Sequence, residues 1–149
     1  MVDVDNQTQS AIDTTLIEEI AAFLSPRDVE LLLVNDEKIH ALNLEYRGVD
    51  SPTDVLSFPL VAPLELREEA QIPLGSIVIC VDKVQQEARN RGHEERFETA
   101  LLFIHGMLHL LGYDHERDNG EQRAKEREII ERFGLPLSLI ERNERVDNA

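Results

Sequence analysis

Three of the chain's five histidines fall within eleven residues, in the run HGMLHLLGYDH. His105 and His109 are four apart, so on a helix their imidazoles lie one above the other on the same face and can share a metal ion. His115 follows six residues later, after Gly112, which can turn the chain and bring a third nitrogen back toward the helix. Three neutral imidazoles with an open fourth position suit zinc, one ion per chain, although nickel, copper or iron could also bind. The alternative, ordinary core histidines, explains the run poorly, because buried polar rings in an apolar helix need partners. A site that keeps a charge near +2 would also attract phosphate within an otherwise acidic chain.

The offsets of zero, four and ten, with glycine at seven, match the metzincin pattern H-E-x-x-H-x-x-G-x-x-H. The departure is Gly106, which stands where those peptidases carry the glutamate that activates water. A metallopeptidase reading is therefore opposed by the residue that matters most to it.

The elements that must position these residues follow from periodicity. Residues 94–111 read as a long helix, apolar nearly all round and hence buried at its centre, with Gly112 just past its end. Upstream, 12–24 is amphipathic at helical spacing and stops before Pro26. The apolar run 29–34 predicts a buried strand, and Asn35 or Asp36 caps a helix to about Tyr46. Strands are expected at 54–60 and 74–81, separated by a Pro-containing surface excursion at 61–73. Asp82 is expected to cap a charged helix that stops at Gly92. Asp118 or Asn119 caps a last helix to Phe133, stopped by Gly134, and the polar tail 139–149 is expected to fray. Helices and strands mixed in this way predict an α/β (α+β) fold with helices on both sheet faces.

With 149 residues, the chain fits one domain spanning 1–149, large enough to bury a core without disulfide staples. Its apolar fraction of 42% excludes intrinsic disorder despite a formal charge of −15. No apolar run is long enough for a membrane span, and MVDVDNQTQS lacks the features of a secretory signal. A single cysteine, Cys80, has no internal disulfide partner, so a cytoplasmic setting is expected. The first 60 residues carry 12 acids against 3 bases, which argues against broad adhesion to nucleic acid and fits a basic protein partner.

HGMLHLLGYDH, with NLEYRGVDSPTDVLSFP upstream and LGSIVIC between, resembles the bacterial YbeY family of endoribonucleases and rRNA maturation factors. The resemblance covers about residues 39–120 and implies a small mixed, mostly parallel sheet between helical layers, with a zincin-like metal helix. It implies a zinc-dependent endoribonuclease specific for single-stranded RNA, acting in 16S rRNA 3′-end maturation and late ribosome quality control. His105, His109 and His115 are then the zinc ligands, and the functional arginine falls on Arg47. One difference stands out: the family commonly reads LGDI where this chain has Ser76, so no carboxylate stands there.

Read from the residues alone, Arg47 could instead pair with Glu45 or Asp50; as a guanidinium it also matches phosphate geometry. Asp114 could orient a histidine or cap the turn after Gly112. Asp54 and Ser57 read as turn and strand-end hydrogen-bonding residues, and Cys80 as a small buried hydrophobe rather than a fourth zinc ligand. His40, His93 and the mixed charges of 116–132 read as solvated. Besides single-stranded rRNA, the expected partner is a basic small-subunit ribosomal protein, which a non-catalytic, zinc-organised assembly factor would also use.

Overall fold

The computed structural model describes residues 1–60, 72–114 and 116–136. Among these residues nine elements follow in order: β1 (Val2–Asn6), α1 (Thr15–Leu24), β2 (Val29–Val34), α2 (Asp36–Arg47), β3 (Val55–Pro59), β4 (Gly75–Cys80), α3 (Val81–Arg91), α4 (Glu95–Leu110) and α5 (Glu121–Phe133). The sheet order is β1-β2-β4-β3. β1, β2 and β4 run parallel, and β3 returns antiparallel to β4. The expected fold class, a mixed and mostly parallel sheet between helices, is what the chain adopts. The excursion at 61–73, apart from its last two residues, and the tail at 139–149 lie outside the described residues.

The sheet divides the interior in two. Ile77 and Ile79 of β4 face a large core with Leu31, Leu33, Ile17, Ile20 and the buried face of α4. Val78 and Cys80 point the other way, into a smaller cluster with Val34, Ile39 and Leu56 under α2. This strict alternation follows from the two-residue period of a strand, and burial on both faces explains why β2 and β4 read as continuous apolar runs.

Local signals set most boundaries. Asn35 caps α2 as expected, its side chain accepting from the Lys38 N–H at 3.0 Å. α1 begins at Thr15 rather than 12, because the Asp13 carboxylate accepts the Thr15 N–H at 3.0 Å and fixes a turn there. That hydrogen bond also lowers the pKa of Asp13. Asp82 does not cap α3; it lies in the first turn, and its carboxylate accepts from the Asp36 N–H at 2.8 Å, tying the starts of α2 and α3 together. Asp118 does serve α5, accepting from the Gln122 N–H at 2.9 Å, while Gly120 occupies the cap position. β1 went unread in the sequence, although Val2 and Val4 alternate with exposed acids along it.

Candidate metal centre and its cleft

α4 crosses the core face of the sheet and is buried along most of its length. Its close approach depends on Gly106: a Cβ there would meet the Ile77 side chain at 3.0 Å. The position occupied by a base in metallopeptidases is thus a packing contact, and any side chain there would need Ile77 to give way by a few tenths of an ångström. Past the end of α4, Gly112 adopts φ 98°, a left-handed conformation that glycine takes at no steric cost. The chain turns there as its sequence predicts. His115, the third expected ligand, lies outside the described residues.

The helical spacing brings His105 and His109 together as expected. Their Nε2 atoms are 3.2 Å apart and their rings meet edge to face, with centroids 4.7 Å apart. Two nitrogens bound to one tetrahedral zinc at ~2.0–2.1 Å would be separated by about 3.3 Å. The pair therefore has the spacing that a shared zinc ion requires.

Behind His105 stands a residue that sequence reasoning missed. Glu126 of α5 is 1% exposed, and its Oε2 lies 3.2 Å from His105 Nδ1. Gln122, one turn earlier, donates to the same oxygen at 3.3 Å. A carboxylate can only accept, so the imidazole proton belongs on Nδ1, which leaves the Nε2 lone pair directed at His109. Carboxylate–histidine pairs of this kind fix the tautomer and raise the basicity of metal-binding imidazoles. The expectation of a solvated face over 116–132 is corrected here. α5 is short of apolar residues, and its inward stripe runs through Gln122, Glu126 and Ile129 at helical spacing, all three buried.

A cleft of about 700 Å³ opens over the histidine pair, walled by β3 and the turn after α4. Arg47 reaches it from the last turn of α2, which is held against β3 by edge-to-face packing of Tyr46 on Phe58, centroids 5.3 Å apart. Buried Asn43 secures the loop that follows, donating to the Ser51 carbonyl at 2.9 Å while its own carbonyl accepts the Val49 N–H. Arg47 is exposed and makes no ion pair among the described residues; Asp50 pairs with His40 instead, at 2.8 Å.

Asp54, Ser57 and Asp114 also line the cleft. Asp54 serves the strand end as expected, its carbonyl accepting from the Cys80 N–H. Of its two readings, Asp114 fits turn capping: its carboxylate accepts the Glu116 N–H at 3.1 Å and faces Arg117 at 3.6 Å. Ser76 donates to Glu30 at 3.0 Å on the neighbouring strand.

Cys80 is buried on the opposite face of the sheet from the histidines, so it cannot complete their site. Its thiol donates to Asp36 at 3.1 Å, and Asp36, Cys80 and Asp82 form a group compact enough to hold a cation. Burial first, and the neighbouring carboxylates next, push the Cys80 thiol pKa up to about 12, and Lys83 lies 3.8 Å from Asp36. His93 corrects a second expectation of solvation: its Nε2 lies 2.9 Å from the carboxylate of Glu98, itself 1% exposed. No described helix is long and apolar enough to cross a membrane.

Comparison with known proteins agrees with this architecture. The chain is 60% identical over 144 residues to a Wolinella succinogenes protein named endoribonuclease YbeY, covering 97% of this chain and 99% of the relative. A Helicobacter pylori protein of the same name is 53% identical over 145 residues, covering 97% and 99%. The solution structure of TM1509 from Thermotoga maritima superposes with a TM-score of 0.59 at 28% identity, covering 89% of each chain. The profile of the family described as endoribonuclease YbeY matches residues 2–134, and the chain belongs to that family.

Proposed function

We propose that this chain is a zinc-dependent endoribonuclease that cleaves single-stranded RNA, with His105, His109 and His115 as zinc ligands and Arg47 as the phosphate-binding group. The observation that carries this reading is the pair of Nε2 atoms 3.2 Å apart at the base of a cleft that also contains Arg47. Zinc bound there supplies a Lewis acid to a phosphoryl oxygen. Glu126 holds the His105 proton on Nδ1 and keeps Nε2 available. Arg47, on a helix end held by the Tyr46–Phe58 contact and by Asn43, offers a planar fork of donors matched to two phosphate oxygens. Gly106 argues against peptide hydrolysis, since it supplies no carboxylate where the customary base stands.

The relatives' name and the motifs shared with the family support RNA as the substrate. The same motifs support action in the cytoplasm on the 3′ end of 16S rRNA and in late ribosome quality control. An acidic chain needs help to settle on rRNA, and its strongly acidic first 60 residues suit a basic small-subunit ribosomal protein as the partner that brings it there.

Cleavage of a 5′-labelled single-stranded RNA tests the reading. Internal cuts should vanish with EDTA and return with zinc. Arg47→Ala should keep its zinc and cut roughly 10- to 100-fold more slowly, the scale of losing a charge-assisted hydrogen bond. Cutting that survives EDTA, or digestion of casein in place of RNA, would contradict it.

A further inference from the structure

The two edges of the sheet are treated differently. β1 carries Asp3 and Asp5, acids of the kind that discourage strand addition. β3, the other edge, reads VLSFP and carries no charge. Its pairing with β4 fixes which groups are free. The Cys80 N–H donates to the Asp54 carbonyl and the Leu60 N–H to the Leu74 carbonyl, both at 2.9 Å, in the same register as Leu56↔Val78 and Phe58↔Ser76. Antiparallel pairs alternate, so the even-numbered residues of β3 bond inward and Val55, Ser57 and Pro59 turn their main-chain groups outward. All three line the cleft. Pro59 has no N–H, which leaves two outward donors, and among the described residues neither the Val55 nor the Ser57 N–H has a partner.

We propose that this outer edge of β3 seats the substrate strand, a proposal that rests on the ribonuclease reading above. The N–H groups of Val55 and Ser57 bind successive phosphates, and the outward carbonyls of the same residues accept hydrogen bonds from ribose 2′-hydroxyls. Two outward donors on alternate residues are about 6.6–6.8 Å apart, a step comparable to the spacing of phosphates in an extended single strand. A 2′-hydroxyl can donate where DNA has nothing to offer, so the carbonyls favour RNA. A polypeptide adding to the edge would want a longer run of alternating donors and acceptors, which Pro59 cuts short, and it would make no use of Arg47.

Equilibrium binding of a labelled single-stranded RNA, read on ice at fixed salt before scission, tests the seat. Ser57→Pro removes one outward N–H at a position where β4 does not need it. It should weaken binding about tenfold, whereas Ser57→Ala should change it less than about twofold. Besides any phosphate held by Arg47 or zinc, a walk of single methylphosphonates along the RNA should show two adjacent sensitive phosphates in the wild-type protein, both still present in Arg47→Ala. One of those penalties should disappear in Ser57→Pro, the signature of a direct pair. Should Ser57→Pro fail to fold, the walk on wild-type and Arg47→Ala protein decides alone: loss of both sensitive positions in Arg47→Ala overturns the seat. Unchanged binding by folded Ser57→Pro, or displacement of RNA by an extended peptide, also overturns it while leaving the ribonuclease reading intact. A wild-type protein that neither binds nor cuts single-stranded RNA overturns both.

Discussion

A histidine–glutamate pair lies near each end of helix α4, and the two differ in what surrounds them. At its start, His93 meets Glu98 at 2.9 Å; near its end, His105 meets Glu126 at 3.2 Å. Both carboxylates are 1% exposed. In the first pair the imidazole uses Nε2 toward the carboxylate and sits beside an open surface groove with Arg89 and Glu94. In the second it uses Nδ1, and its Nε2 meets a second imidazole in a cleft. A buried carboxylate under a histidine is thus a general way to satisfy a polar ring. A metal site needs a converging second nitrogen as well, and the i, i+4 spacing supplies it only at the C-terminal end.

The sharpest way to break this contrast is to truncate both imidazoles. His105→Ala should lose the metal and all RNA cleavage, while His93→Ala, once folded, should keep both; metal analysis and cleavage on the two proteins decide. A smaller effect is expected one step back from the ligand. Glu126→Gln replaces the acceptor-only carboxylate with a neutral amide that can donate as well as accept, so the tautomer is no longer fixed, and it should weaken zinc binding about 10- to 100-fold in competition with a chelator. The smallest separates the pairs by stability. Glu98→Gln should lower unfolding free energy by about 1–3 kcal/mol in a urea titration, with zinc affinity unchanged. Equal zinc losses in Glu98→Gln and Glu126→Gln would erase the distinction.

The histidine spacing was readable in the sequence because a helix converts four residues into one face. β2 and β4 were readable because buried strands show as unbroken apolar runs, and Asn35, Gly92 and Gly134 mark helix ends by short-range rules. The rest depends on long-range contacts. Glu126 meets His105 across 21 residues, and a carboxylate facing inward resembles one facing water until the neighbouring helix is placed. β1 has two acids among its five residues and becomes a strand only by pairing with β2 in the register Val2↔Val29. Gly106 signalled a missing base in the sequence, but its reason, contact with Ile77, belongs to the helix–sheet interface. The outward donors of β3 depend on its antiparallel register, which no local pattern reports.

Whether His105 and His109 share a zinc ion is read from the zinc content of purified wild-type protein and His109→Ala prepared side by side and dialysed against the same buffer. One zinc per wild-type chain is expected, and none in a His109→Ala chain of unchanged fold. Full zinc occupancy in His109→Ala, or a wild-type chain that takes up no zinc, would contradict it.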